Sequence, residues 1–273
     1  MKIKAKAKIN LSLNVLGVKN GYHELESLVT EISLADEIKI KKSNKICVKY
    51  KNFNVSNQND NAFKTLKAFY EKTKLGATVI IKKKIPLSSG LGGSSADSVG
   101  IINGLKKLYP FVEEKVFYSI IETSGSDCPV QYAGGTNLMR GRGEVIENVK
   151  LKNKLFFTVI ACEGGVDTAK CFSLYDSGEK KGFIDNNRLI EALNDKKRIK
   201  LDNCLKYPAR ALNENIEKCE KRLAEFSPMV NMSGSGSAVY AVFYKKSQAK
   251  KTVKKLKKEF SNCFYCESVL KNI

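Results

Sequence analysis

Residues 85 to 100 read IPLSSGLGGSSADSVG, a run of small and hydroxylated side chains suited to holding a polyphosphate. Gly90, Gly92 and Gly93 permit backbone conformations that side chains forbid and let a ligand approach the main chain closely. The segment feeds an apolar stripe, Val99, Ile102, Leu105 and Leu108, which predicts a helix from Ser94 to Leu108. The N–H groups at its start, aided by the helix dipole, make a phosphate site. Ser94 and Ser95 can add hydrogen bonds or help hold a magnesium ion. Two familiar phosphate loops are excluded. No Gly-Lys-Ser/Thr triplet of the Walker type occurs. The dinucleotide fingerprint needs glycine where Ser95 stands, and no βαβ unit surrounds the loop. A glycine-rich connector with serine caps has the same composition, so other segments must decide.

Three of them carry chemistry. Asp127 sits in SGSDCPVQYAGGTNLMRGRGE, a carboxylate in a glycine-serine setting, and NMSGSGSAVYAVF at 231 to 243 is a second glycine-serine turn running into a strand. Aspartate and glycine also gather in turns for purely conformational reasons. KIKAKAKINLSLNV, residues 2 to 15, alternates strictly, with apolar residues at odd positions and polar ones at even positions. That is a strand with one face on a core. Its polar row is either a solvated surface or, at Lys8 and Asn10, the wall of an active site. His23 is the one histidine, so any Ser-His-Asp machinery must pass through it. Cys263 and Cys266 form a lone CxxC with no second pair, a poor match to a zinc site.

The elements that must position these residues mix freely. Strands are predicted at Leu25 to Leu34, Lys39 to Tyr50, Thr78 to Ile85 and Leu155 to Cys162, with another after the turn at 232 to 244. Helices are predicted at Asn61 to Lys74, Val116 to Thr123, Asn187 to Leu193, Leu212 to Phe226 and Gln248 to Phe260. Without regular βαβ alternation the fold class is α+β, and the reset of pattern past Gly143 divides the chain into domains at 1–150 and 151–273. The 273 residues suffice for two cores, and no apolar run approaches the roughly 20 residues that span a bilayer. Eight scattered cysteines and no export signal predict a cytoplasmic protein with reduced thiols. The net charge of +20 is mostly lysine, with six arginines, all from Arg140 onward. It favours anionic ligands but lacks the clustered arginine and interleaved aromatics of a nucleic-acid binder.

Taken together, PLSSGLGGSSADS resembles the ATP-binding loop and MSGSGSAVYAVF the third motif of the GHMP kinases, the small-molecule kinases of galactose, homoserine, mevalonate and phosphomevalonate, while GSDCP with GRGE resembles the second motif of one branch of them. AKINLSLNVLG followed by NGYHELES narrows the resemblance to the branch that phosphorylates 4-diphosphocytidyl-2-C-methyl-D-erythritol (CDP-methylerythritol). It runs in order over essentially the whole chain. It implies an N-terminal domain like domain 2 of ribosomal protein S5 and a ferredoxin-like C-terminal domain.

Position by position, the resemblance implies that Asp127 and Lys8 are catalytic. Pro86, Leu87, Ser88, Ser89, Gly90, Leu91, Gly92, Gly93, Ser94 and Ser95 bind ATP. Tyr22 and His23 hold a cytosine ring by stacking and hydrogen bonding, Phe172 lies on its other side, and Asn10 and Thr168 touch the substrate. ATP and Mg2+ are the implied cofactors, and a small molecule, not nucleic acid or membrane, the implied partner. The loop reads GLGGSS where the family usually reads GLGGGSS. Rival expectations are another GHMP kinase, acting on mevalonate, phosphomevalonate or homoserine, and a basic nucleic-acid-binding protein.

Overall fold

The computed structural model describes residues 1–52, 60–179 and 182–271. Its strands are β1 Lys2–Asn10, β2 Asn14–Lys19, β3 Tyr22–Ser43, β4 Cys47–Tyr50, β5 Gly76–Lys82, β6 Thr136–Gly141, β7 Val145–Asn148, β8 Phe156–Ala161, β9 Val230–Met232, β10 Ala238–Phe243 and β11 Cys263–Glu267. The helices are α1 Asn61–Thr73, α2 Gly93–Leu108, α3 Glu114–Thr123, α4 Cys128–Ala133, α5 Thr168–Ser177, α6 Asn186–Asn194, α7 Lys206–Leu212, α8 Asn215–Ala224 and α9 Lys246–Leu256. They fall into two compact units that do not follow a single cut at residue 150. One comprises Met1–Ala7, Leu34–Ile85 and Gly92–Ala133, the other Lys8–Ser33, Pro86–Leu91 and Gly134–Ile273.

In the first unit the later half of β3 pairs antiparallel with β5, from Glu37↔Lys82 to Ser43↔Gly76, and β4 runs parallel to β5. Helices α1, α2 and α3 cover this sheet through Leu66, Phe69, Ile101, Ile102, Leu105 and Phe117, all buried. Helix α2 seats close to the strands because it presents glycine there. A Cβ on Gly100 would stand 2.7 Å from Ile38 Cδ1, and one on Gly104 2.7 Å from Ile40 Cγ2. The stripe read from sequence thus has a second, glycine-bearing face.

In the second unit β2 and the first half of β3 form a hairpin, Lys19↔Tyr22, around Asn20 and Gly21, both with positive φ. β6 pairs with that half of β3, and β7 with β6. A separate four-stranded sheet, ordered β11-β8-β10-β9, lies in the same unit. Its core includes Ile160, Val239, Ala241, Ile216, Leu223, Ala249 and Leu256.

Two expectations change. The strands predicted at 25–34 and 39–50 are one strand of 22 residues, Tyr22–Ser43, followed by the short β4. Ala35-Asp36-Glu37 lies between the two predicted segments and is no break in the strand. The Asp36 carboxylate is fully buried, ion-paired to Lys83 and hydrogen-bonded by the backbone N–H groups of Lys84 and Ile85, the latter at 2.8 Å. The first strand ends at Asn10, not Val15. Its alternation in burial also stops at Ala7, since every residue from Lys8 to Asn14 is buried. All eight cysteines are free, and all but Cys47 are buried.

Candidate active site

Burial of the polar row from Lys8 to Asn14 is possible because each side chain finds a partner within the second unit. Lys8 Nζ donates to Asn10 Oδ1 at 2.6 Å, and Asn10 Nδ2 donates to Ser27 Oγ at 2.8 Å. Ser12 Oγ donates to Asn186 Oδ1 at 2.5 Å, and Asn14 Nδ2 to the Ile184 carbonyl at 2.8 Å. Lys8 and Asn10 are 4% and 1% exposed, far from the solvated lysine face that Lys2 and Lys4 make. A lysine kept this far from water needs compensation. Its ammonium also stands 3.4 Å from the space a Cβ would fill on Gly234, so it lies against the 231–243 turn.

That turn carries half of the phosphate loop. Ser233 Oγ donates to the Gly90 carbonyl at 3.0 Å, and the Asn10 N–H donates to Ser233 Oγ at 3.2 Å. The Ala238 N–H donates to the Ser89 carbonyl at 2.9 Å, and the Lys8 N–H to the Leu91 carbonyl at 3.0 Å. Gly90 adopts φ +73°, and a Cβ there would stand 2.1 Å from the Ser233 carbonyl oxygen, so glycine is required on both counts. Ser89 Oγ closes back on the Pro86 carbonyl at 2.7 Å. Leu87 and Ser88 are exposed, whereas Leu91 is fully buried and anchors the loop. Two motifs separated by 140 residues in sequence therefore form one structure.

The rest of the loop belongs to the first unit. Helix α2 begins behind Gly92, at φ +68° with no side-chain cap, and has no acidic residue in its first turn. Its leading N–H groups lack intrahelical partners, and Ser94 is exposed beside them. Asp127 occupies the turn before α4, whose first backbone bond runs from the Gln131 N–H to the Asp127 carbonyl at 3.1 Å. Cys128 Sγ reaches the Ser95 carbonyl at 3.9 Å, tying α4 to the start of α2. Burial pushes the Cys128 thiol up to about 11, so it stays protonated at neutral pH. Beneath the helix start, Lys83 Nζ bridges Asp36 and Asp97, 2.6 Å from Asp97 Oδ2, and reaches the Gly93 carbonyl at 3.4 Å. Burial raises Asp97 to about 7 against the opposing pull of Lys83. Sequence reading missed this buttress: its residues lie 47 and 14 apart along the chain.

A third cluster surrounds the hairpin of the second unit. Phe172 of α5 stacks on His23, with ring centroids 4.5 Å apart and planes at 29°. Asp176, one helical turn on, lies 2.8 Å from His23 Nε2 through Oδ1. Tyr22 is 52% exposed and carries the Arg142 guanidinium over its ring, 3.5 Å from the centroid. Thr168 Oγ1 is 2.8 Å from Ser235 Oγ, joining α5 to the 231–243 turn. The second unit thus gathers Lys8, Asn10, Tyr22, His23, Thr168 and Phe172 with Pro86–Leu91, while Asp127 and Gly92–Ser95 belong to the first. Asp176 and Arg142 escaped sequence reading. The four-residue spacing of Phe172 and Asp176 was the available signal for the former.

Comparison with known proteins gives the family and the fold. The GHMP kinases N terminal domain family matches residues 60–135, and the GHMP kinases C terminal family matches residues 184–262. The 4-diphosphocytidyl-2-C-methyl-D-erythritol kinase of Carboxydothermus hydrogenoformans is 33% identical over 262 residues, covering 92% of this chain and 91% of the relative. The Clostridium tetani enzyme of the same name is 29% identical, over 98% of this chain and all 100% of its own. A crystal structure of 4-(cytidine 5'-diphospho)-2C-methyl-D-erythritol kinase superposes with a TM-score of 0.85 at 24% identity, covering 98% of this chain and 99% of that one. The fold is the two-domain GHMP kinase fold of mixed helix and strand. The chain belongs to the GHMP kinases and, within them, to the 4-diphosphocytidyl-2-C-methyl-D-erythritol kinases.

Proposed function

We propose that the protein transfers the γ-phosphoryl group of ATP to the 2-hydroxyl of 4-diphosphocytidyl-2-C-methyl-D-erythritol, a step of non-mevalonate isoprenoid precursor synthesis. The observation that carries the choice of acceptor is the aromatic pair of His23 and Phe172, whose rings stack at 4.5 Å beside the β2–β3 hairpin. Kinases of mevalonate or homoserine have no nucleobase to hold and no use for it. The matched family segments, 60–135 and 184–262, fall on either side of residue 150, which supports reading 1–150 and 151–273 as the two GHMP domains. We place the reaction in the cytoplasm. Among the described residues no helix is long and apolar enough to cross a membrane.

Phosphoryl transfer through a loose transition state asks mainly for positioning and charge neutralisation. The loop from Pro86 to Ser95 supplies backbone donors to the ATP phosphates. Asp127 takes the acceptor hydroxyl's proton late in the reaction, when bonding to phosphorus has made that proton acidic. Lys8, dry and held by Asn10, offsets negative charge on the transferring group more strongly than a solvated lysine. Magnesium fits sparse oxygen donors of this kind. Ser95 Oγ stands 3.4 Å from the space a Cβ on Gly125 would fill, so a hydroxyl faces the turn that carries Asp127. Mg2+ commonly takes one or two protein oxygens and completes its shell with water and phosphate. Bound there, it would neutralise phosphate charge. The test is the identity of the product by 31P NMR. The expected spectrum gains a phosphomonoester resonance and keeps the substrate's diphosphate intact. Release of inorganic phosphate alone would contradict the proposal.

A further inference from the structure

His23 is held from two sides by one helix. Helix α5 starts at its N-cap Asp167, whose carboxylate accepts the Lys170 N–H at 2.9 Å, and runs as Thr168–Ser177. Residues four apart on a helix lie on one face, and α5 uses that spacing to present Phe172 and Asp176 together. Phe172 covers the face of the imidazole at 4.5 Å, and Asp176 Oδ1 meets its Nε2 edge at 2.8 Å. The strand register fixes the third point, since His23 pairs with Val18 across the β2–β3 hairpin. Ring plane and ring edge are both determined.

The chemistry of the contact sets the tautomer. An ionised carboxylate only accepts hydrogen bonds, so Nε2 must carry the proton, and in a neutral imidazole Nδ1 is then a bare acceptor. The partner of one ring nitrogen thereby dictates what the other can recognise. The pairing edge of cytosine offers one donor, the 4-amino group, beside two acceptors, N3 and O2. A bare imidazole nitrogen therefore has a single place on that edge. Uracil puts an acceptor oxygen at the same place. Turning the imidazole to the other tautomer would set a lone pair against the Asp176 carboxylate.

We infer that Asp176 is a positioning residue that makes His23 selective for cytosine over uracil, by holding Nε2–H and leaving Nδ1 to accept from the 4-amino group. The inference rests on the acceptor proposed above. It reaches beyond that proposal in assigning base discrimination to a residue that acts through His23.

Because the chain has one histidine, the tautomer can be read directly in the whole, unliganded protein labelled with 15N-histidine. The expected long-range 1H–15N spectrum near neutral pH shows Nε2 protonated and Nδ1 bare. D176N, whose amide can both donate and accept, shifts that spectrum toward exchange between tautomers. A wild-type spectrum with Nδ1 protonated, or a D176N spectrum identical to it, overturns the inference whatever the enzyme's substrate.

The kinetic arm compares the cytidine substrate with its uridine counterpart. D176N is expected to raise KM for the cytidine substrate about tenfold, the scale of one lost hydrogen bond to a base, with kcat within about twofold of wild type. Its discrimination against the uridine compound falls by a similar factor. Unchanged discrimination in D176N, with wild type active on the cytidine substrate, overturns the role of Asp176 alone. Wild type inactive on the cytidine substrate overturns the acceptor proposal, and the inference with it.

Discussion

Asp127 and Asn10 stand for two kinds of residue that a sequence shows as equally polar. Asp127 lies at a turn, half-buried, with its backbone already committed to the first bond of α4. Asp127→Asn keeps that geometry and removes the proposed proton acceptor, so kcat is expected to fall about 10²–10⁴-fold, with thermal stability unchanged in a melting experiment. Asn10 is wired into the interior instead. It accepts from Lys8 and donates to Ser27, and its carbonyl accepts the Tyr240 hydroxyl at 2.7 Å. Asn10→Ala takes one acceptor from the Lys8 ammonium in a dry site, and urea unfolding is expected to report a loss of about 1–3 kcal/mol. Alternation exposed Lys8 and Asn10 as one row with Lys2 and Lys4. It could not tell which end of the row was covered, because the covering atoms come from residues more than 200 positions away.

At the scale of elements, each half of the phosphate loop has its own support within its unit. The 231–243 turn reaches the loop through Gly90, where a Cβ would overlap the Ser233 carbonyl. Gly90→Ala is therefore expected to weaken ATP binding in calorimetry more than binding of the nucleotide-linked acceptor. The buttress of Asp36, Lys83 and Asp97 gives a pH signature. Asp97 is raised from 3.8 to about 7 by burial, so the folded state holds a proton that the unfolded state has lost between those values. Stability from this group rises as pH falls from about 8 toward 5. Lys83→Met removes the cation between two buried carboxylates. It is expected to cost about 3–5 kcal/mol near pH 8, and less near pH 5, where Asp97 is neutral; denaturant unfolding at the two pH values checks both. The Val99 to Leu108 stripe made α2 legible. Helix α5, with no such apolar stripe and only Cys171 and Tyr175 buried, was not. Nor were β6, β7 and β11, short strands whose places are set by pairing with β3, β6 and β8 respectively.

For the whole molecule, the motif order from AKIN to MSGSGS made the fold class and the family legible before any contact was known. Division into compact units was not, because β1, β3 and the phosphate loop each contribute to both. Only the three-dimensional path assigns their halves. The net charge of +20 is also a property of the whole. A field of that sign raises encounter rates with anionic ligands and is screened within about 10 Å at 0.1 M salt. Raising ionic strength from about 0.05 to about 0.5 M is accordingly expected to lower kcat/KM for ATP several-fold while kcat holds. Steady-state kinetics in sodium chloride would check this, and a kcat that fell in parallel would place the salt effect on the chemistry instead.

A GHMP kinase scaffold is proposed here to serve a cytidine-linked alcohol. ADP release with magnesium and ATP, measured for wild type and Asp127→Asn across 4-diphosphocytidyl-2-C-methyl-D-erythritol, mevalonate, phosphomevalonate and homoserine, tests it most directly. The expected result is turnover on the cytidyl substrate alone, lost in the variant. Turnover on any of the other three, or undiminished turnover in Asp127→Asn, would contradict it.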